Sequence, residues 1–86
     1  MPGVPPSADE ELRVLVETVQ ALRLERGLTQ ETVGLGGGLG RKYVGELERR
    51  ELVPSVPGLV GVARGLELST ADFLRAFADR LDGDAG

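Results

Sequence analysis

A run of glycines in the middle of the chain limits the fold more than any other feature. Residues 34–40 read Gly-Leu-Gly-Gly-Gly-Leu-Gly. Because each glycine inside a helix costs about 1 kcal/mol relative to alanine, a helix that enters this run must be short and held by packing. We predict a helix over residues 29–36, with Thr29 as its N-cap and a break at Gly37 and Gly38. A phosphate-binding loop is not indicated, because no strand precedes the glycines and no Lys-Ser/Thr pair follows them.

Apolar residues at helical spacing flank the glycine run. A stripe with steps of three and four residues comprises Leu12, Leu15, Val16, Val19 and Leu22, and it predicts a helix over residues 9–26. Similar spacing predicts helices over residues 40–49 and 55–66 and a fifth from Ser69 to about residue 81. The fold class is therefore all-α, a five-helix domain over residues 9–81. The polar ends, residues 1–8 and 82–86, are predicted to be a disordered arm and tail.

Composition excludes several classes of site. The 86-residue chain has no cysteine and no histidine, which excludes disulfides, thiolate metal sites and catalysis by Ser-His or Cys-His pairs. No apolar run approaches the roughly 20 residues needed to cross a bilayer, and the N-terminus lacks the pattern of a signal peptide. We expect a cytoplasmic, nucleoid-associated protein without metal or cofactor.

The charge distribution weakens an objection to nucleic-acid binding. The net charge is −4, whereas binding to phosphate favours a basic surface. The acidic residues are concentrated at the ends: residues 1–12 and 67–86 carry −3 each, and residues 13–66 carry +2. The middle of the chain is mildly basic, so DNA binding stays possible on charge grounds.

The order of signals from Leu28 to Ser55 resembles the Cro/phage-repressor family of helix-turn-helix proteins, also called XRE-like. The resemblance lies in Leu28-Thr29-Gln30-Glu31, Val44-Gly45-Glu46-Leu47-Glu48-Arg49 and Pro54-Ser55, and it extends over roughly residues 12–80. It implies a lambda-repressor-like fold in which the second helix crosses the DNA backbone. The third helix, residues 40–49, would then lie in the major groove.

The resemblance also implies which side chains meet DNA. Thr29 and Gln30 would contact a phosphate. Arg41 or Lys42 would bond guanine, and Glu46 would accept from cytosine, although an ordinary solvated helix face is the alternative for all three. Tyr43 either packs under the domain or touches a phosphate. The predicted DNA-binding set is completed by Arg49 and by Arg50, which would reach a phosphate.

Other positions are interpreted structurally. By resemblance, Arg23 and Glu48 form an ion pair that fixes the angle of the third helix. The apolar residues of the fifth helix, Phe73, Leu74 and Phe77, either close the core or form a strip shared with a twofold mate. We predict a homodimer, because one small module offers few contacts to DNA.

Two departures from the family pattern concern turns. Arg50 and Glu67 stand where the family usually has glycine, so either the backbone there is strained or the turns differ.

A further departure from the family pattern concerns the DNA-binding surface. Gly40 and Gly45 replace polar side chains that the family usually offers to DNA, which predicts fewer base contacts.

We therefore predict a sequence-specific DNA-binding transcriptional regulator, a repressor or controller, that binds double-stranded DNA. The alternative is a protein-binding module of the same fold, such as an antitoxin or co-regulator with weak DNA binding. An enzyme is not expected, because one lysine and scattered acids give no evident catalytic site.

Overall fold

Five α-helices make up the described part of the chain. The computed structural model describes residues 8–85, the last two by their backbone alone. The helices are α1 Ala8–Glu25, α2 Gln30–Gly36, α3 Tyr43–Glu48, α4 Val56–Gly65 and α5 Thr70–Ala85. No strand occurs in this range, which confirms the all-α fold. Of the predicted N-terminal arm, residues 1–7 lie outside the described residues and Ala8 already belongs to α1.

The core draws apolar residues from all five helices. It contains Leu15, Val16, Val19, Val33, Val44, Leu47, Val62, Ala63, Leu66 and Phe73. α1 packs on α3 and α5, while α2 packs on α3 and α4. The stripe predicted on α1 supplies three of these buried residues. None of the described helices is both long and apolar enough to span a membrane.

Hydroxyl side chains cap three helices at their N-termini. The Thr29 hydroxyl accepts from the Thr32 amide at 3.0 Å, Ser55 accepts from the Gly58 amide at 3.2 Å, and Ser69 accepts from the Asp72 amide at 3.0 Å. Each bond satisfies an amide that has no partner within its helix. The starts of α2, α4 and α5 thus follow from local sequence signals.

Four turns end their helices in the same way. After α1, α2, α3 and α4, the residue past the helix end has a positive φ: Gly27, Gly38, Arg50 and Glu67. The amide of this residue and the amide of the residue after it donate to carbonyl oxygens in the last turn of the helix. At the end of α3, Arg50 N donates to Leu47 O at 2.9 Å and Glu51 N donates to Glu46 O at 2.8 Å. This is the Schellman arrangement. Of the two possibilities left open for Arg50 and Glu67, the strained backbone is therefore the one found, with φ of 60° and 63°.

Two helix boundaries differ from prediction. α3 begins at Tyr43, not at residue 40, because Gly40 has a φ of +91° and Arg41 and Lys42 lie in a turn. α5 continues to Ala85, beyond the predicted end at residue 81. Asp82, Gly83 and Asp84 are poor helix formers, so residues 82–85 are helical as a continuation of α5 and not through their own propensity. Only residue 86 of the predicted tail lies outside the described residues.

Glycines allow α2 and the start of the following turn to approach α4 closely. A Cβ on Gly65 would collide with the carbonyl oxygen of Val33, and one on Gly37 would collide with that of Gly61. A Cβ on Gly61 would lie 2.8 Å from Leu39 Cδ2. The packing that holds the short α2 is therefore a close helix crossing, and this crossing sets the position of α2.

Candidate nucleic-acid interface

An ion pair between α1 and α3 fixes the angle of α3. Arg23 Nε donates to Glu48 Oε2 at 2.7 Å, and Arg23 Nη2 donates to Oε1 at 3.0 Å. The two side chains are only 11% and 5% exposed. Arg23 Nη1 also donates to the Leu28 carbonyl at 3.0 Å, so the same guanidinium supports the turn between α1 and α2. A two-pronged, largely buried pair of this kind holds its helices in one relative orientation.

Gln30 joins this network from the first turn of α2. Its Nε2 donates to Glu48 Oε1 at 3.1 Å. The amide group has two hydrogens, so one is used internally and the second stays available. Gln30 therefore links α2 to α3 and still lies at the edge of the surface where a ligand would meet both helices.

The basic residues of this surface are exposed. Arg41 and Lys42 project from the turn before α3, and Arg49 and Arg50 from the turn after it. Arg41 Nη1 lies 4.0 Å from Glu31 Oε1, with both side chains more than half exposed. The surface required for DNA binding is thus not covered by the described part of the protein.

Gly45 lies in a notch that its neighbours fill. A Cβ on this residue would lie 3.1 Å from Gln30 Oε1 and 3.2 Å from Arg49 Nη1. The missing side chain on α3 is therefore replaced by a glutamine amide and a guanidinium from flanking segments. Polar groups therefore occupy the position that a side chain at residue 45 would take.

Arg49 is paired with an acidic neighbour. Its Nε and Nη2 lie 3.0 and 2.9 Å from Glu51 Oε1. This hydrogen bond lowers the pKa of the Glu51 carboxyl and, with the attraction between the charges, raises the pKa of the Arg49 guanidinium. Sequence reasoning missed this pair, because residues two apart do not share a face of a helix and the turn at Arg50 was left open.

Tyr43 packs under the domain. It is half-buried against the core, and its hydroxyl occupies the place that a Cβ on Gly58 would take. Burial raises the pKa of the phenol. Of the two interpretations that the sequence left open, the structure favours packing against the start of α4.

The family model for helix-turn-helix proteins matches residues 19–73, more than half of the chain. This range contains α2, the turn and α3 in the arrangement just described. The protein belongs to the XRE-type helix-turn-helix family.

Solved structures support the assignment to this helix-turn-helix family. The wild-type restriction-modification controller protein C.Esp1396I superposes with a TM-score of 0.76 at 26% identity, over 88% of this chain and 97% of that one. The same controller as a tetramer in complex with its natural 35 base-pair operator gives 0.77 at 26% identity, over 88% and 97%. The clp gene regulator ClgR from Corynebacterium glutamicum gives 0.72 at 25% identity, over 87% and 80%. No curated protein sequence matches significantly.

In this helix-turn-helix, α2 and α3 are the two helices and residues 37–42 form the turn. The predicted DNA-binding residues Thr29, Gln30, Arg41, Lys42, Glu46, Arg49 and Arg50 all belong to these elements or flank them. Glu46 is half-buried on α3. Within the set, Gln30 and Arg49 meet over Gly45, and Arg41 lies near Glu31 of α2. Tyr43 contacts Gly58 of α4.

The predicted dimer residues of this helix-turn-helix protein separate into three environments. Phe73 is fully buried in the core, so it closes the domain and offers no surface to a mate. Leu74 is 42% exposed. Phe77 lines a shallow apolar groove together with Leu12, Val53 and Leu59. A shared strip would therefore use Leu74 and the groove beside Phe77, without Phe73.

Proposed function

We propose that this protein is a sequence-specific DNA-binding transcriptional regulator, a repressor or controller, that binds the major groove through α3 and the turn before it. The observation that carries the proposal is the pair of exposed cations at Arg41 and Lys42, held beside a helix whose angle the Arg23–Glu48 pair fixes. In helix-turn-helix proteins the N-terminal part of the second helix contacts base edges. The similarity to a controller solved on its operator supports the same use here.

The proposed roles follow from position. Arg41 and Lys42 bond guanine O6 and N7 or the flanking phosphates. Thr29 and the free amide hydrogen of Gln30 bind a phosphate at the edge of the groove, and Arg50 reaches another. Glu46 accepts from a cytosine amine. None of these roles requires a catalytic group, and we propose no enzymatic activity.

The protein acts as a homodimer in this proposal. Two copies place two α3 helices about one helical turn of DNA apart, so that the few contacts of each half are doubled. The exposed Leu74 and the groove beside Phe77 provide apolar surface for the mate. The C.Esp1396I structure on DNA is an assembly of several copies, which supports an oligomer here.

The test begins with selection of genomic fragments by the purified protein and measures affinity for the best fragment against salt. The double variant Arg41→Ala, Lys42→Ala should lose at least about tenfold in affinity, because each good base contact is worth about 1–3 kcal/mol. The plot of log affinity against log salt concentration (its slope is called the salt slope below) should also become shallower by about 0.9 for each lost phosphate contact. Arg75→Ala, on the exposed side of α5, is the control and should bind as the wild type does.

A different result would identify the alternative function. If the double variant bound DNA as well as the wild type, α3 would not be the DNA-binding element. If no fragment were selected and a protein partner were retained by both the wild type and the double variant, the protein would be a protein-binding module of the same fold.

A further inference from the structure

Glu51 is an acidic residue that pairs with Arg49 at the edge of the proposed DNA-binding surface. Both Arg49 Nε and Arg49 Nη2 lie within 3.0 Å of one oxygen of its carboxylate. The pair is open to solvent, with side chains 58% and 53% exposed. A phosphate that approached Arg49 would therefore meet a guanidinium already occupied by an anion.

The backbone places both partners. The Glu51 amide bonds to the Glu46 carbonyl at 2.8 Å, and the positive φ of Arg50 turns the chain so that residue 51 lies back beside residue 49. Arg49 Nη1 at the same time lies over the bare backbone of Gly45. The guanidinium is thus held between the notch at Gly45 and the carboxylate of Glu51.

The other contacts between opposite charges on this surface are looser. Arg41 and Glu31 are 4.0 Å apart and more exposed than the Arg49–Glu51 pair. Within residues 8–85, no ion pair is found for Lys42 or Arg50. Of the four basic residues proposed to face DNA, Arg49 is therefore the one most strongly occupied by the protein itself.

We propose that Glu51 is an internal competitor for DNA phosphate, which holds Arg49 in an ion pair and thereby lowers sequence-independent affinity for DNA. The inference rests on the proposed function. Non-specific binding depends almost entirely on the counterions that DNA releases when lysine and arginine neutralise its phosphates. Occupation of one of the few arginines therefore has its largest effect on non-specific binding. When a DNA phosphate pairs with Arg49, DNA releases one counterion, but the Glu51 carboxylate loses its partner and attracts a cation from solution. The uptake of that cation cancels the free energy gained from the released counterion.

The experiment measures binding to duplexes of random sequence at several salt concentrations. Glu51→Gln should bind about three- to fivefold more tightly at low salt, the range that an exposed ion pair allows, and its salt slope should steepen by about 0.9. Asp72→Asn is the matched control, because it makes the same charge change and breaks an exposed pair with Arg75 on α5. Glu31→Gln should show a smaller gain than Glu51→Gln.

A second background separates competition for Arg49 from simple repulsion between Glu51 and DNA. On an Arg49→Ala background, Glu51→Gln should give no more gain than Asp72→Asn does. Thermal unfolding of each variant verifies that the fold is intact. A gain that persisted without Arg49, or that equalled that of Asp72→Asn, would overturn the inference.

The outcomes also separate this inference from the proposed function. Suppose that the wild type binds its selected fragment and the Arg41→Ala, Lys42→Ala variant does not. An affinity of Glu51→Gln for random-sequence duplexes equal to that of the wild type would then overturn the role of Glu51 alone. If neither the wild type nor any variant bound DNA at low salt, both proposals would fail together.

Discussion

Arg50 and Glu67 have backbone conformations that glycine adopts more readily. Each is the residue of positive φ after a helix, the place taken by Gly27 after α1 and by Gly38 after α2. A side chain in the left-handed region costs roughly 1–2 kcal/mol. Glycine avoids this cost in the folded protein. Its greater freedom in the unfolded chain offsets about half of the resulting stabilisation.

Replacing Glu67 with glycine should therefore stabilise the protein. We expect Glu67→Gly to raise the free energy of unfolding by about 0.5–1 kcal/mol, measured by chemical denaturation. Glu67→Ala keeps a Cβ at the same φ and should give no comparable gain. Equal effects of glycine and alanine would show that the backbone strain at this turn is negligible.

The sequence indicated some residues of the surface and missed others for a physical reason. Arg23 and Glu48 were expected to pair from the family resemblance, and they do so across α1 and α3. The Arg49–Glu51 pair lies across the turn in which Arg50 has a φ of 60°. A sequence pattern leaves that angle open at a residue other than glycine, so it did not indicate this pair. Arg49 lies over Gly45 because residues four apart share one face of a helix.

At the scale of helices, capping signals predicted starts better than periodicity predicted ends. Thr29 and Ser55 begin α2 and α4 as expected, because a side-chain oxygen has a definite amide to satisfy. α3 starts three residues late because Gly40 takes a positive φ and no side chain caps the helix. α5 extends further than its apolar stripe because a polar helix end needs no core contact to persist.

The glycines of the α2–α4 crossing should tolerate no side chain. A Cβ on Gly65 would collide with the Val33 carbonyl, which belongs to the backbone and has little room to move. We expect Gly65→Ala to lower the free energy of unfolding by at least about 2 kcal/mol, since overpacking of this kind commonly costs 1–3. For a domain of this size the melting temperature should fall by roughly 8 °C or more.

A helical glycine in open space provides the comparison. Gly83 lies in α5 with nothing within 4 Å of the position a Cβ would take. Gly83→Ala should therefore stabilise the protein by roughly 0.5–1 kcal/mol, through the entropy of the unfolded chain. If both alanine variants shifted stability in the same direction, the crossing would be looser than the structure indicates.

At the scale of the whole molecule, the proposed dimer places its contact on α5. Leu74 is exposed in the single chain, whereas Phe73 beside it is buried. A charge at residue 74 should therefore disrupt a dimer and leave each domain folded. We expect Leu74→Glu to sediment as a monomer at concentrations where the wild type is a dimer, with the melting of a folded domain retained.

The comparison for Leu74→Glu is Arg75→Ala, which makes the same charge change on α5. It should leave the sedimentation unchanged. The fraction of operator bound should also rise less steeply with protein concentration for the monomeric variant, because the two half-sites would be filled independently. A wild type that stayed monomeric at high concentration would contradict the proposed dimer.

The six residues of α3 are too few to remain helical by themselves in water. Glu48 ties them to α1 and α2, so the contact surface exists only while the rest of the domain is assembled around it. Binding to DNA and folding of the domain are for that reason linked equilibria. A copy in which α1 or α2 had unfolded would lack a formed α3, and an operator in excess would protect the five-helix domain from heat and proteolysis.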